Sequence, residues 1–172
     1  MRIYSSCDLL YKHTVNKVMR PKQDIFEFYD LNNRKKIGLL VCHKSELPLR
    51  PDYEGSVLAL DFIEVTPKNN GIGTKILKFA EEHSKQCGCN GYLTLKADNS
   101  FSPKRIPHLF YRKFGFSTFD KKTDIHLDDF IRNGNNATSK DFPSLLMHYP
   151  PQQKQLTIMQ KCLKLIHKIF RH

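Results

Sequence analysis

The stretch whose reading decides the fold runs VLALDFIEV (Val57–Val65), TPKNN (Thr66–Asn70), GIGTKIL (Gly71–Leu77). The first segment is apolar and rich in β-branched residues, broken only by Asp61 and Glu64, the pattern of a strand buried on both faces. Pro67 has no N–H to give a central ladder, so the strand is expected to end before it. Asn69-Asn70-Gly71 is turn chemistry. From Ile72 the apolar positions take helical spacing (Ile72, Ile76, Leu77, Ala80), with Lys75, Lys78, Glu81 and Glu82 opposite. Strand, glycine turn and helix in this order leave the unpaired N–H groups of a first helical turn at the end of a strand, where an anion is well held.

Two common phosphate loops do not fit. No glycine lies where G-x-x-x-x-G-K-[ST] needs its first, and Ile76 stands where G-x-G-x-x-G needs its third. What fits is a polar residue, two residues, Gly, one residue, Gly: Lys68, Gly71, Gly73. A G-x-G at a helix start is also met where two elements simply pack closely.

Working outward, the helix is expected to stop at Cys87, with Lys85 in its last turn and Gly88 as left-handed cap. GYLTLKA follows with period-two alternation. A right-handed crossover would set Tyr92–Ala97 parallel to Val57–Val65 and beside it. Pro107 suits the first turn of a helix over His108–Phe114, closed by Gly115, with Phe116 folding back onto Phe110 or Tyr111. Phe116–Asp120 reads as a strand, Lys121–Asp141 as a long polar loop with a short helix at Ile125–Ile131, and Pro143–Tyr149 as a last strand. Upstream, residues 6–19 carry a weak helical pattern. Asp24–Asp30 and Lys36–His43 bracket Leu31-Asn32-Asn33-Arg34 as a hairpin, and Ser45–Gly55 is a loop.

The glycine loop, with LTLKADN (Leu93–Asn99) and LFYRKFGF (Leu109–Phe116) after it, resembles the GNAT N-acetyltransferases, whose loop is written R/Q-x-x-G-x-G/A and whose second signature ends F/L-Y-x-K-x-G-F. The likeness covers about a third of the chain, and Tyr111, Lys113, Gly115 and Phe116 all fall in place. Lys68 departs from Arg or Gln, and Tyr111 lies twelve positions after Asn99, a longer interval than is usual in the family.

The resemblance implies an α+β, three-layer αβα fold: a mixed, mostly antiparallel sheet with a splayed central parallel pair and helices on both faces. Residues 1–150 would be the acetyltransferase domain and 151–172 a basic amphipathic helix. It also implies acetyl-CoA as acetyl donor, its pantetheine arm lying between the two parallel strands along Ile63, Glu64 and Val65. The pyrophosphate would rest on Lys68, Asn69, Asn70, Gly71, Ile72, Gly73 and Thr74, and Asn99 and Tyr111 would complete the cofactor contacts. Tyr111 would protonate the departing thiolate, although a Tyr near a helix end is also a packing residue. For the base, alternation puts Asp61 on the same face of its strand as Ile63 and Val65, with Glu64 turned toward a helix. A carboxylate in a buried strand is costly unless paired or functional, so a structural ion pair and a catalytic base are both open readings of Asp61, as is a water chain in its place.

The chain has 172 residues, enough for one domain with a sizeable core. It shows no apolar run long enough for a membrane span and no signal-peptide pattern, so a soluble, cytoplasmic protein is expected. Its five cysteines include no C-x-x-C pair, and no metal site is expected. The net charge of +11 favours anionic partners. After Asp141 no acidic residue occurs, while Lys154, Lys161, Lys164, Lys168 and Arg171 crowd the tail. The stripe Leu156, Met159, Leu163, Ile166 and Phe170 makes Gln155–Phe170 an amphipathic helix, open between docking on its own sheet, forming a homodimer and lying on an anionic membrane. The leading expectation is transfer of acetyl to a primary amine by direct attack in a ternary complex. Charged tRNA is one alternative acceptor, since FYRKFGF, the small size and the charge also resemble the GNAT toxins. A non-catalytic basic binding module on the same fold is another.

Overall fold

A computed structural model describes residues 2–4, 9–46, 53–67, 70–98, 106–134 and 142–150. Seven strands form one sheet: β1 (Arg2–Tyr4), β2 (Leu9–Asn16), β3 (Gln23–Tyr29), β4 (Lys36–Ser45), β5 (Val57–Val65), β6 (Leu93–Ala97) and β7 (Leu145–Tyr149). They lie side by side in chain order. Every neighbouring pair is antiparallel except β5 and β6, which are parallel and joined by α1 (Ile72–Gln86). Two further helices, α2 (Pro107–Phe114) and α3 (Lys121–Asn133), lie between β6 and β7 in sequence. The hairpin, the strand–turn–helix unit, the parallel crossover and the last strand are where the residue pattern puts them.

The core sits on one face of the sheet. Phe26 and Phe28 of β3 meet the ring of Phe79 on α1, with centroids 4.8 and 5.1 Å apart. Their cross-strand partners are Leu40 and Gly38, and a Cβ on Gly38 would stand 2.5 Å from Ile76 Cδ1, so α1 lies directly on this face. Leu40, Cys42, Leu58, Leu60, Leu93, Leu95 and Met147 are buried with them. Helix α2 joins the same layer: its Phe114 packs on Tyr149, whose hydroxyl reaches Glu81 of α1. Of the two helix layers expected, the described residues supply this one. On the other face Ile25, Leu39 and Val41 are half-buried, and Phe62 and Leu146 are exposed.

Four local expectations are corrected. Residues 9–16 form strand β2, not a helix: Tyr11 packs edge-on against Phe26 and Phe79, and His13 stacks on Phe26, so aromatic side chains at period two replace an aliphatic stripe. Phe116–Asp120 contributes a single bridge, Ser117 to His148, because the chain then turns: Thr118 N–H and Oγ1–H both donate to Asp124 Oδ1. The polar stretch from Lys121 is a full helix, capped by Asp120, which accepts from Lys122 N–H and Thr123 N–H, and anchored by fully buried Leu127. Strand β5 is buried on both faces only at its start; Asp61, Phe62 and Glu64 are exposed. The proposed tail helix lies outside the described residues.

Candidate functional site

Strands β5 and β6 pair at Leu58–Leu93, Ala59–Thr94 and Leu60–Leu95, and there the pairing stops. Beyond it β5 runs on to Val65 against β4 alone, and β6 runs on to Ala97 against β7 alone. The parallel pair therefore parts toward its C-terminal ends. Thr66 N–H donates to Ile37 O of β4 at 2.9 Å. Counting back by the two-residue alternation of a strand, the main-chain groups of Glu64 also face β4, whereas those of Ile63 and Val65 face the opening. Two of the three strand residues named from the sequence are thus turned the right way. Glu64 offers the opening no main-chain group.

The turn at the mouth is built by two glycines with different tasks. Gly71 caps α1 in the left-handed region, φ 79°, and an added Cβ would meet nothing within 4 Å. That conformation suits glycine, and the space above it is open. Ile72 N–H donates to Asn70 Oδ1 at 3.2 Å. Gly71, at the N-cap, has no side chain to offer α1, and no acidic residue lies in the first turn. The N–H groups of Gly71, Gly73 and Thr74 have no partner among the described residues, and the start of a helix carries a partial positive charge. Gly73 is held by packing, against the ring of Phe110 on α2. Lys68, Asn69 and Asn99 lie outside the described residues.

Tyr111 is placed on α2, whose closing turn is pinned by Gly115 N–H and Phe116 N–H, both donating to Tyr111 O. Its ring packs edge-on to Phe116 at 5.7 Å. Burial pushes its phenol up to about 12, and its Oη has no hydrogen-bond partner among the described residues. Tyr111 is therefore a fully protonated phenol across the neutral range.

Asp61 sits where alternation does not put it. Val41 pairs with Phe62 but Cys42 pairs with Leu60, so Asp61 is the extra residue of a β-bulge. Ile63 and Val65, opposite Leu40 and Gly38, lie on the α1 face. The bulge turns the Asp61 carboxylate to the other face, where Oδ2 accepts from Gln23 Nε2 at 3.0 Å and bonds His43 Nδ1 at 2.8 Å. The sequence reading missed Gln23 and His43. Each stands at a period-two position in its strand, but nothing in a single strand's pattern announces a bulge in its neighbour.

A family model described as "Acetyltransferase (GNAT) family" matches residues 10–116. No curated protein matches the chain. Among solved structures, a bacterial toxin is 17% identical over 73% of this chain and 66% of its own, with a TM-score of 0.47. A histone acetyltransferase HPA2 and related acetyltransferase from Corynebacterium glutamicum is 14% identical over 77% and 67%, with a TM-score of 0.43. The Bacillus subtilis N-acetyltransferase YlbP, solved with coenzyme A, is 14% identical over 74% and 67%, also at 0.43. The chain spans about two-thirds of the length of each of these. With the family model covering most of an α+β domain whose parallel strands part above a glycine turn, the chain belongs to the GNAT acetyltransferase family.

Proposed function

We propose that this protein is an acetyl-CoA-dependent N-acetyltransferase that passes the acetyl group to a primary amine by direct attack in a ternary complex. The observation that carries the reading is the parting of β5 and β6 beyond Leu60 and Leu95, with N–H groups of Gly71, Gly73 and Thr74 that have no partner among the described residues. The extended pantetheine arm fits as a strand substitute against the main-chain groups of Ile63 and Val65. The pyrophosphate fits the start of α1, where helix-end attraction contributes about 0.3–2 kcal/mol and several N–H bonds share the load. Lys75, exposed in the first turn, adds charge, and Lys68 and Asn69 precede it in the sequence. Holding thioester and amine together replaces a bimolecular encounter by a positioned one. Tyr111 supplies the proton that the departing thiolate needs.

The net charge of +11 favours an acceptor amine carried on an anionic partner, of which aminoacyl-tRNA is one. Labelled acetyl appearing on charged tRNA would register it, whereas a steep loss of RNA affinity with salt and no turnover would mark a non-catalytic binding module.

The test of the main reading is thermal unfolding with and without acetyl-CoA. Ligand at 100 times its Kd adds about 2.7 kcal/mol and raises Tm. No shift, with no heat in a calorimetric titration, overturns the assignment.

A further inference from the structure

The pair that the bulge brings together has the chemistry of a base and its orienting group. An ionised carboxylate only accepts hydrogen bonds, so the 2.8 Å contact to Asp61 Oδ2 puts the proton of neutral His43 on Nδ1. The lone pair is then on Nε2, which has no partner among the described residues. Gln23, donating to the same oxygen at 3.0 Å, holds the carboxylate from β3. The arrangement takes a side chain from each of three neighbouring strands and sits on the bulge at the point where β5 leaves β6. His43 is half-buried, its side chain 18% exposed, and Asp61 is open at 30%, so the imidazole is fixed and still reachable.

Resting on the acetyltransferase reading, we infer that His43 is the general base of the transfer and that Asp61 is its positioning residue. The sequence leaves a base and a structural ion pair both open for Asp61; here its carboxylate is engaged by His43 and Gln23. The pair and Tyr111 lie on opposite faces of the sheet, since Asp61 turns away from α1 while α2 lies in the α1 layer. Amine and leaving thiolate then have separate proton partners. His43 Nε2 takes one proton from the acceptor's ammonium group, and the freed lone pair attacks the thioester carbon. The C–N bond forms and the C–S bond breaks. The thiolate takes the Tyr111 proton, the excess N–H proton of the new amide returns to Tyr111 through water, and His43 releases its proton to solvent. Among the described strand residues, the other charged groups on this face are Glu27, paired with Lys12 and Lys36, together with Glu64 and Lys96.

The test uses the full chain, acetyl-CoA and two probe nucleophiles: a small primary alkylamine, protonated at neutral pH, and hydroxylamine, largely unprotonated there. Calorimetry with acetyl-CoA comes first. His43→Gln is expected to keep acetyl-CoA affinity within about twofold, to lose alkylamine transfer by about 10²–10⁴-fold, and to lose the acid limb of its pH profile. Hydroxylamine transfer falls far less, because that nucleophile needs no base. Asp61→Asn can present an amide N–H to Nδ1 and turn the imidazole to the wrong tautomer, so alkylamine transfer falls while hydroxylamine transfer and acetyl-CoA affinity hold; a merely structural pair would lower both transfers together. An unaltered pH profile in His43→Gln overturns the inference. So does a wild-type protein that binds acetyl-CoA yet acetylates neither probe, which leaves the cofactor reading standing. A wild-type protein that does not bind acetyl-CoA overturns the reading beneath it.

Discussion

Gly73 and Phe110 touch across the two helices that meet at the opening: a Cβ on Gly73 would stand 2.9 Å from Phe110 Cζ. The two glycines of the turn therefore answer differently to substitution. Gly71→Ala forces a side chain into the left-handed region, at about 1–2 kcal/mol, and is expected to lower both stability and coenzyme A affinity. Gly73→Ala displaces only the tip of a ring that is 36% exposed, while alanine gains about 1 kcal/mol of helix propensity. Its stability is expected to stay within about 0.5 kcal/mol of wild type. Urea unfolding and calorimetry on both variants check the contrast; equal losses in the two would remove the distinction.

Tyr111→Phe separates catalysis from packing. The Oη has no partner among the described residues, so its loss leaves no orphaned group behind, and stability is expected to hold or rise slightly. Turnover should fall by about 10²–10⁴-fold with acetyl-CoA affinity kept. An acid must be protonated to act, and its rate is lost only as pH rises through its own pKa. Burial pushes that value to about 12, so the wild-type rate is expected to show no alkaline fall from Tyr111 below about pH 11. Rate profiles from pH 6 to 10 on both proteins decide it: undiminished turnover in the variant would retire Tyr111 as the acid.

The legible parts of this chain are those where one strand or helix carries its own signal. The hairpin shows in alternating apolar residues around Asn32-Asn33, and the β5–α1–β6 unit shows in a change of period across Gly71. The illegible parts depend on partners. Strand β2 keeps aromatic and polar residues, Tyr11 and His13, on its packed face, so its two-residue period is hidden until Phe26 and Phe79 are beside it. Helix α3 has no continuous apolar stripe; it is held by a cap and by acidic residues that meet an arginine from α2. Alternation puts Asp61 on the wrong face, because register is a property of two strands and the slip at Val41–Cys42 belongs to the pair.

That arginine joins α2 and α3. Arg112 Nε and Nη2 donate to Asp128 Oδ1 and Oδ2, both at 2.7 Å, while Nη1 donates to Phe116 O and Ser117 Oγ. The hydrogen bonds from Arg112 hold the Asp128 carboxyl below its usual range. A lowered carboxylate stabilises the fold above its unfolded pKa, and the gain disappears as pH falls through the folded value. Asp128→Asn should therefore cost on the order of 1 kcal/mol at pH 7, a modest figure because the carboxylate is 39% exposed and screened. The difference from wild type should shrink below about pH 4. Arg112→Lys should cost more than Asp128→Asn at pH 7, since an ammonium cannot serve the fork and the Phe116 carbonyl together. Denaturant unfolding between pH 3 and 8 tests both; a gap between wild type and Asp128→Asn that persists unchanged at pH 3 would contradict the ionic account.

A second titration weakens the fold in the same pH direction, through burial of a neutral group instead of pairing of a charged one. His83 on α1 stands edge-on to Phe26 at 4.8 Å, with its Nε2 3.6 Å from Asp24. Burial lowers its pKa, outweighing the attraction of Asp24. The folded protein then binds fewer protons here than the unfolded chain. Stability from this group is fully present above the unfolded value near 6.5 and is lost as pH falls toward the folded one. Wild type should weaken between pH 7 and 5, by at most about 1.4 kcal/mol per pH unit for one proton. His83→Phe keeps a ring against Phe26 and Phe79 but has nothing to protonate, so its stability should match wild type near pH 8 and fall less steeply below. Some slope will persist, because burial lowers His108 likewise. Urea midpoints at pH 5, 6, 7 and 8 give the comparison, and parallel curves for the two proteins would show that His83 does not carry the acid sensitivity.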